Sequence, residues 1–141
     1  MENCIKKYYK NGNIRREIYF VNNEYHKLDG PAVITYYQNG NIKSKAFYVN
    51  GKLHKEDGPA TIGYYENGQI GYEEYFINGK YHRKNKPAYI CYYENGNLYF
   101  ERYFINNKLH REDGPADIKY FPFGEIQYQK FYKNGLIKVA I

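Results

Sequence analysis

Apolar and polar residues alternate along short runs of the chain, and turn-forming dipeptides separate these runs. In residues 31–37, the side chains of Ala32 and Ile34 point to the same side of a predicted strand. A second run, residues 41–49, is rich in β-branched and aromatic residues. The Asn39-Gly40 pair between them favours a hairpin with a type I′ turn, because both residues tolerate a positive φ. The pattern therefore predicts two strands joined by a tight turn.

The whole pattern recurs every 28 residues without insertion or deletion. The clearest columns are Tyr8, Tyr36, Tyr64, Tyr92 and Tyr120; Gly12, Gly40, Gly68, Gly96 and Gly124; and His26, His54, His82 and His110. We therefore divide residues 1–141 into units of about 1–28, 29–56, 57–84, 85–112 and 113–140, forming one domain. A self-similar chain of this kind buries its core by stacking neighbouring units.

The direction of the chain limits how many strands one unit contains. In an antiparallel meander each unit needs an even number of full strands, because successive copies must run in the same direction. Two strands and a return segment through Asn50-Gly51 meet this condition. A coiled solenoid with parallel stacking is the alternative, and the Asn-Gly turns argue against it. The predicted fold is an all-β, extended and twisted antiparallel sheet of five hairpin repeats.

The two faces of the predicted sheet differ in how much they vary. The columns of Ala32, Ile34 and Tyr36 hardly change between units. On the opposite side of the same strand, one level carries a different residue in each unit, namely Val33, Thr61, Tyr89 and Asp117. We therefore expect one face to be the shared packing surface and the other to be free to vary.

Composition agrees with an ordered chain and sets limits on its setting. Hydrophobic residues make up 43% of the chain and 20 residues are tyrosine, which excludes a disordered protein. No apolar run approaches the ~18 residues that span a membrane, and the first residues do not resemble a signal peptide. Cys4 and Cys91 fall in different columns, so we expect free thiols and a reducing, cytoplasmic setting. The net charge of +6 permits acidic partners without requiring them.

The repeat resembles a known family. Tyr-x-Asn-Gly-x-Ile, followed by Tyr-Phe-x-Asn-Gly-x-Leu-His-x-x-Asp-Gly-Pro-Ala, is similar to the MORN-type repeat, and most similar to the MORN-2 or YwqK-like variant. The resemblance implies an intracellular protein of a bacterium, or of a host cell infected by a large DNA virus. It also implies a protein-interaction module, with antitoxin-like neutralisation of a partner as one possible role. Some MORN proteins are linked to phosphoinositide membranes, which gives a second functional class.

The histidine column raises the question of a metal or catalytic site. Equivalent positions would lie about 10 Å apart, whereas zinc ligands lie about 2 Å from the ion. We therefore expect no metal, no cofactor and no enzymatic activity. Asp29, Asp57 and Asp113 follow three residues after a histidine, and a catalytic pair would still lack a nucleophile. We expect His26, His54, His82 and His110 to be structural, bonded to the return loop or to these aspartates.

Two departures from the repeat are candidates for partner binding. Where the second and fourth units read Lys-Glu-Asp-Gly and Arg-Glu-Asp-Gly, and the first reads Lys-Leu-Asp-Gly, the third reads Arg83-Lys84-Asn85-Lys86, which forms a local basic cluster. Aromatic residues outside the shared columns also accumulate in the second half, namely Tyr72, Tyr89, Tyr99, Phe100 and Tyr128. If these rings are exposed, they suit a protein interface. If they are buried, they form part of the local core. Nucleic acid is a weaker interpretation, because 15 acidic residues accompany the basic ones.

The last residues replace the polar return with the apolar sequence Leu-Ile-Lys-Val-Ala-Ile, residues 136–141. This segment either pairs with the last hairpin or joins a second copy edge to edge. The sequence as a whole predicts a non-catalytic scaffold that binds another protein. Binding to an anionic membrane or a phosphoinositide through basic loops is the alternative.

Overall fold

A computed structural model describes residues 1–138, and every regular element in that range is a β-strand. The strands are β1 (Asn3–Tyr8), β2 (Ile14–Val21), β3 (Glu24–Tyr25), β4 (Val33–Tyr36), β5 (Ile42–Ala46), β6 (Tyr48–Val49), β7 (Lys52–Leu53), β8 (Thr61–Tyr64), β9 (Ile70–Glu74), β10 (Phe76–Ile77), β11 (Lys80–Tyr81), β12 (Tyr89–Tyr92), β13 (Leu98–Arg102), β14 (Phe104–Ile105), β15 (Lys108–Leu109), β16 (Asp117–Tyr120), β17 (Ile126–Lys133) and β18 (Leu136–Lys138). The predicted all-β class is confirmed.

The longer strands form one open antiparallel meander. They pair in the order β1-β2-β4-β5-β8-β9-β12-β13-β16-β17, so each 28-residue unit adds one hairpin to the sheet. Neighbouring units join through the second strand of one hairpin and the first strand of the next, as β5 joins β8. The predicted array of hairpin repeats is therefore confirmed.

The turn within each hairpin differs from the predicted type I′ turn. Gly40 has a φ of 92°, whereas Asn39 is not in the left-handed region. Gly40 N–H donates to the Tyr37 carbonyl, and Tyr37 N–H donates to the Asn41 carbonyl. These bonds define a three-residue loop in which glycine takes the left-handed position that follows a type I turn. The prediction was wrong at Asn39-Gly40, because glycine alone supplies the positive φ there.

The type I′ turn occurs instead in the return segment, which is itself a small hairpin. Asn50 and Gly51 have φ values of 48° and 77°, and they connect the two-residue strands β6 and β7. In the middle units the chain leaves the main sheet just before this hairpin, at Phe47. Phe47 N–H donates to the Ala60 carbonyl of the next unit at 2.7 Å, and its own carbonyl accepts from His54 N–H. The return hairpins also contact each other, because Gly79 N–H donates to the Leu53 carbonyl.

A bulge shifts the register near each tight turn. Thr35 is opposite Ser44 and Tyr36 is opposite Ile42, so Lys43 has no partner on β4. The same shift recurs in every unit and leaves Arg15, Gly71, Tyr99 and Gln127 in equivalent positions. A bulge bends its strand and redirects a side chain. The repeat therefore presents one additional side chain per unit beside the second strand.

The face that varies in sequence is not fully exposed to solvent. Ala32 and its equivalents are fully buried, as the constant column predicts. Val33, Thr61 and Asp117 in the variable column are also buried, with 6–8% of their surface exposed. The return hairpins explain this, because the ring of Tyr81 stacks 5.7 Å from that of Tyr89 on the variable face. The variable face is covered at this level.

Polar residues on the variable face are matched across the strands. Asp117 accepts a hydrogen bond from Arg102 at 3.1 Å, and Thr61 donates to Glu74 at 2.8 Å. Most buried polar groups in folded proteins have a hydrogen-bond partner. Variation in this column is therefore compensated on the adjacent strand.

Candidate binding surfaces

Two side-chain columns join each unit to the next and hold the array rigid. Tyr9, Tyr37, Tyr65 and Tyr93 each donate a hydroxyl hydrogen bond to a carbonyl 27 residues later, over 2.6–2.8 Å. The four histidines accept through Nδ1 from a backbone N–H 24 residues later, over 3.0–3.2 Å. Both kinds of bond cross the boundary between units, so they stabilise the stack rather than single hairpins.

The histidines contact the turn of the following return hairpin and not the aspartates. His54 Nδ1 accepts from Asn78 N–H, the first residue of the next type I′ turn. Asp29, Asp57 and Asp113 are exposed. The Nε2 atom of His110 lies 3.0 Å from a Glu112 carboxylate oxygen. Within residues 1–138, no group of three or more potential metal ligands comes together.

The residue after each histidine is a cation that covers an aromatic ring. Lys27, Lys55, Arg83 and Arg111 lie 3.7–4.2 Å from the ring centres of Tyr19, Phe47, Tyr75 and Tyr103. Arg83 also donates to the Pro87 carbonyl at 3.1 Å. Arg83 therefore has the same packing contacts as its equivalents, which leaves Lys84 and Lys86 as the exposed cations of the predicted basic cluster. Asn85 between them has a φ of 60°.

The predicted interface aromatics all have contacts within the sheet. Phe100 is 9% exposed, and Tyr89 packs edge-on against it at 4.8 Å. The Tyr72 ring covers Gly63 so closely that a Cβ built on Gly63 would lie 1.9 Å from it. Tyr99 packs on Tyr93 at 4.8 Å. The hydroxyl of Tyr128 lies 3.4 Å from a carboxylate oxygen of Asp117. Partial burial shows that these rings contribute to the core as well as to the surface.

A basic groove that no sequence motif predicted lies on the variable face of the first two units. Its volume is about 360 Å³, and its lining includes Lys7, Tyr9, Arg15, Arg16, Thr35 and Lys43. Lys7 is directly opposite Arg16, and the bulged residues Arg15, on the same strand as Arg16, and Lys43, on β5, also line the groove. No carboxylate lines the groove. Arg16 Nε is buried without a hydrogen-bond partner.

The distribution of charge along the chain is the signal that points to this groove. Residues 1–56 contain ten basic and five acidic residues. Residues 57–141 contain eleven basic and ten acidic residues. Almost the whole net charge therefore belongs to the first two units. The basic residues of the groove lie on different strands, and only the strand register brings them to one surface.

The tight turn of the fifth unit exposes aromatic side chains. Phe123 is 83% exposed, and Phe121 and Ile126 beside it are 46% and 49% exposed. In the other units the position of Phe123 is occupied by asparagine, and each of these Oδ1 atoms accepts the N–H two residues later. The fifth unit thus lacks a turn-stabilising bond and presents an apolar tip. We call Phe121, Phe123 and Ile126 the aromatic tip.

The end of the described chain pairs with the last hairpin, which was one of the two expectations for it. β18 pairs with residues 131–133 of β17, and residues 139–141 lie outside the described range. The fifth unit also has Phe121 and Lys138 where the earlier units have the bonding tyrosine and histidine. A second copy placed after it would find neither of these contacts. Leu136 and Ile137 are nevertheless exposed.

The family comparison agrees with the repeat. The family model of the MORN repeat variant matches residues 1–22, 32–50 and 88–106, which lie in three of the five units. The resemblance to MORN-like repeats is therefore confirmed, and such repeats are commonly binding modules for proteins or membranes rather than enzymes. No curated protein matches the chain. Residues 1–138 contain no helix that is long and apolar enough to cross a membrane.

Proposed function

We propose that this chain is a non-catalytic module that binds another protein and thereby scaffolds or neutralises it. The observation that carries the proposal is the aromatic tip. Phe123 is 83% exposed at a position where asparagine would satisfy the turn. Exposed apolar clusters on a polar surface mark interaction sites. Aromatic side chains contribute more binding free energy per residue than most others do.

The rigidity of the array supports this role. The tyrosine and histidine bonds fix each unit against the next, so the tip is held in place before a partner arrives. A preorganised surface loses less conformational entropy on binding than a flexible one. The neighbouring tight turns carry Glu66, Glu94 and Glu125, which would repel an anionic bilayer. This arrangement favours a protein partner over a membrane.

The test compares native protein with Phe123→Asn in crosslinking pull-downs from the native host. Phe123→Asn restores the residue that the other four units have, so the turn should gain a hydrogen bond. We expect the variant to remain folded and to lose a partner that native protein retains. Leu28→Asn is the matched control, because Leu28 is 88% exposed but lies in a different loop.

Retention of the same partner by Phe123→Asn would contradict the role of the tip. Sedimentation with vesicles of phosphatidylcholine and phosphatidylserine tests the membrane alternative. Salt-sensitive sedimentation of native protein, without any retained protein partner, would overturn the proposal in favour of membrane binding.

A further inference from the structure

We infer that the basic groove of the first two units binds an extended acidic segment of a protein partner. The inference rests on the proposed function and adds a second contact surface with a defined chemistry. The groove lies on the first two units of the array and the aromatic tip on the fifth. One partner that contacts both would span several repeats.

The first unit has an unfavourable pair that the other units avoid. Lys7 and Arg16 are direct partners across β1 and β2. The equivalent pairs in the other units combine at most one charged residue with a neutral one, namely Thr35 with Ser44, Gly63 with Tyr72, Cys91 with Phe100 and Lys119 with Tyr128. Like charges placed directly opposite each other destabilise a sheet. The first unit therefore retains a repulsion that a bound anion would relieve.

Within residues 1–138, no carboxylate forms an ion pair with Lys7 or Arg16. The nearest carboxylate along β2 is Glu17, which belongs to the other face of the sheet. Glu17 accepts a hydrogen bond from the Tyr36 hydroxyl at 3.0 Å and lies 3.7 Å from the Lys6 ammonium group. Thr35 and Ser44 hydrogen-bond to each other. The buried Nε of Arg16 thus remains a donor without an acceptor.

The size of the groove favours a chain of anions over a single small ion. Lys7 on β1 and Lys43 on β5 are separated by three strand intervals, or about 14 Å. A single phosphate or carboxylate group would contact only the cations nearest to it, whereas a chain of anions can follow the groove across all four strands. In an extended peptide, side chains on the same side repeat about every 7 Å. Two or three alternating carboxylates would match the cations along the groove.

Fluorescence anisotropy with a synthetic peptide tests this inference. The probe is a short labelled peptide that alternates glutamate and serine, and its control replaces every glutamate with glutamine. We expect native protein to bind the glutamate peptide more tightly than the glutamine peptide, with an affinity that falls as salt rises. Equal binding of the two peptides would overturn the inference.

Matched variants locate the binding site. Arg15→Gln/Arg16→Gln and Lys84→Gln/Lys86→Gln each remove two positive charges, from the groove and from the predicted basic loop respectively. At about 50 mM salt we expect the first pair to weaken peptide binding about tenfold and the second less than about twofold, because close charges dominate. Equal weakening by both pairs would overturn the groove assignment. Lys43→Gln, at an exposed position, provides the same test if the arginine variant fails to fold.

A small-anion competitor tests whether the groove binds a peptide segment or any source of negative charge. Inorganic pyrophosphate at the peptide concentration should displace little of the bound peptide, because it spans only part of the groove. Complete displacement of the peptide by pyrophosphate at equal concentration would show that the groove binds a small anion, and it would overturn the assignment of an acidic segment as the ligand. If the peptide fails to bind while the aromatic tip still retains a partner, only this inference is overturned and the proposed function stands.

Discussion

The Nδ1 atom of His54 accepts the backbone N–H of Asn78 at 3.0 Å, and this bond joins one unit to the next. Asn78 and Gly79 have φ values of 49° and 78°, so they form the type I′ turn of the next return hairpin. Histidine therefore fixes a turn whose conformation L-residues adopt reluctantly. The bond recurs in four places, which accounts for the regular spacing of the histidines.

Replacing this histidine should destabilise the fold without any effect of metal. We expect His54→Ala to lower the free energy of unfolding by about 1–3 kcal/mol, because the Asn78 N–H loses its acceptor. His54→Asn should lose less, since the amide oxygen can accept the same bond. Thermal unfolding with and without EDTA checks both points. A large decrease in melting temperature on adding EDTA to native protein would contradict the structural role.

The tyrosine column gives a matched pair of hydroxyl substitutions. Tyr93 donates its hydroxyl to the Tyr120 carbonyl at 2.8 Å, and the equivalent residue one unit later is Phe121. Tyr93→Phe should reduce stability by about 0.5–1.5 kcal/mol through loss of this bond. Phe121 is 46% exposed, so the hydroxyl added by Phe121→Tyr can bond to water, and the stability of this variant should match that of native protein in denaturant titrations. Equal effects of the two changes would indicate that the hydroxyl bond contributes nothing.

Gly63 and Tyr72 should behave as a coupled pair. A Cβ on Gly63 would lie 1.9 Å from the Tyr72 ring, so Gly63→Ala must displace that ring. We expect Gly63→Ala alone to destabilise the protein, and to cost much less when combined with Tyr72→Ala. The coupling free energy should be about 1–3 kcal/mol in a double-mutant cycle. Additive effects would show that the ring moves away freely.

Alkaline pH should remove the contribution of Tyr36. Burial, and then the hydrogen bond to Glu17, raises the pKa of Tyr36 from 10.0 to about 12. The folded state therefore favours the neutral phenol, so its contribution is complete below about pH 10 and is lost as the pH rises through about 12. The stability difference between native protein and Tyr36→Phe, measured in urea, should shrink across that window. An unchanged difference would contradict the raised pKa.

Whole units should be easier to remove than half units. Deletion of residues 57–84 removes the Gly63–Tyr72 pair as a whole and joins two equivalent positions of the repeat. We expect a folded, shorter array, because contacts are mainly between neighbouring units. Deletion of residues 57–70 removes β8 but leaves residues 71–74 of β9, which reverses the direction of every later strand. Circular dichroism and thermal unfolding compare the folding of the two deletion variants. Equally cooperative unfolding of both variants would exclude the two-strand unit.

The sequence by itself determined the array and its hairpins. The 28-residue period, the asparagine and glycine pairs and the alternation in residues 31–37 led directly to antiparallel strand pairing, because turn chemistry and side-chain period are local properties. The position of the type I′ turn was wrong, since Asn39-Gly40 and Asn50-Gly51 have the same composition. Which pair adopts which turn depends on the loop length and on the bulge, and neither can be read from two residues.

Only the tertiary structure decided which residues share a surface. The return hairpins fold over the variable face, so a column that differs in every unit is buried and is satisfied by cross-strand partners such as Arg102 and Asp117. Lys7, Arg16 and Lys43 line one groove through strand register, whereas Arg83 of the predicted basic cluster packs on the Tyr75 ring. Burial and charge proximity are sums over neighbours from several strands. The sequence pattern includes all of these residues, but it does not specify the distances between them.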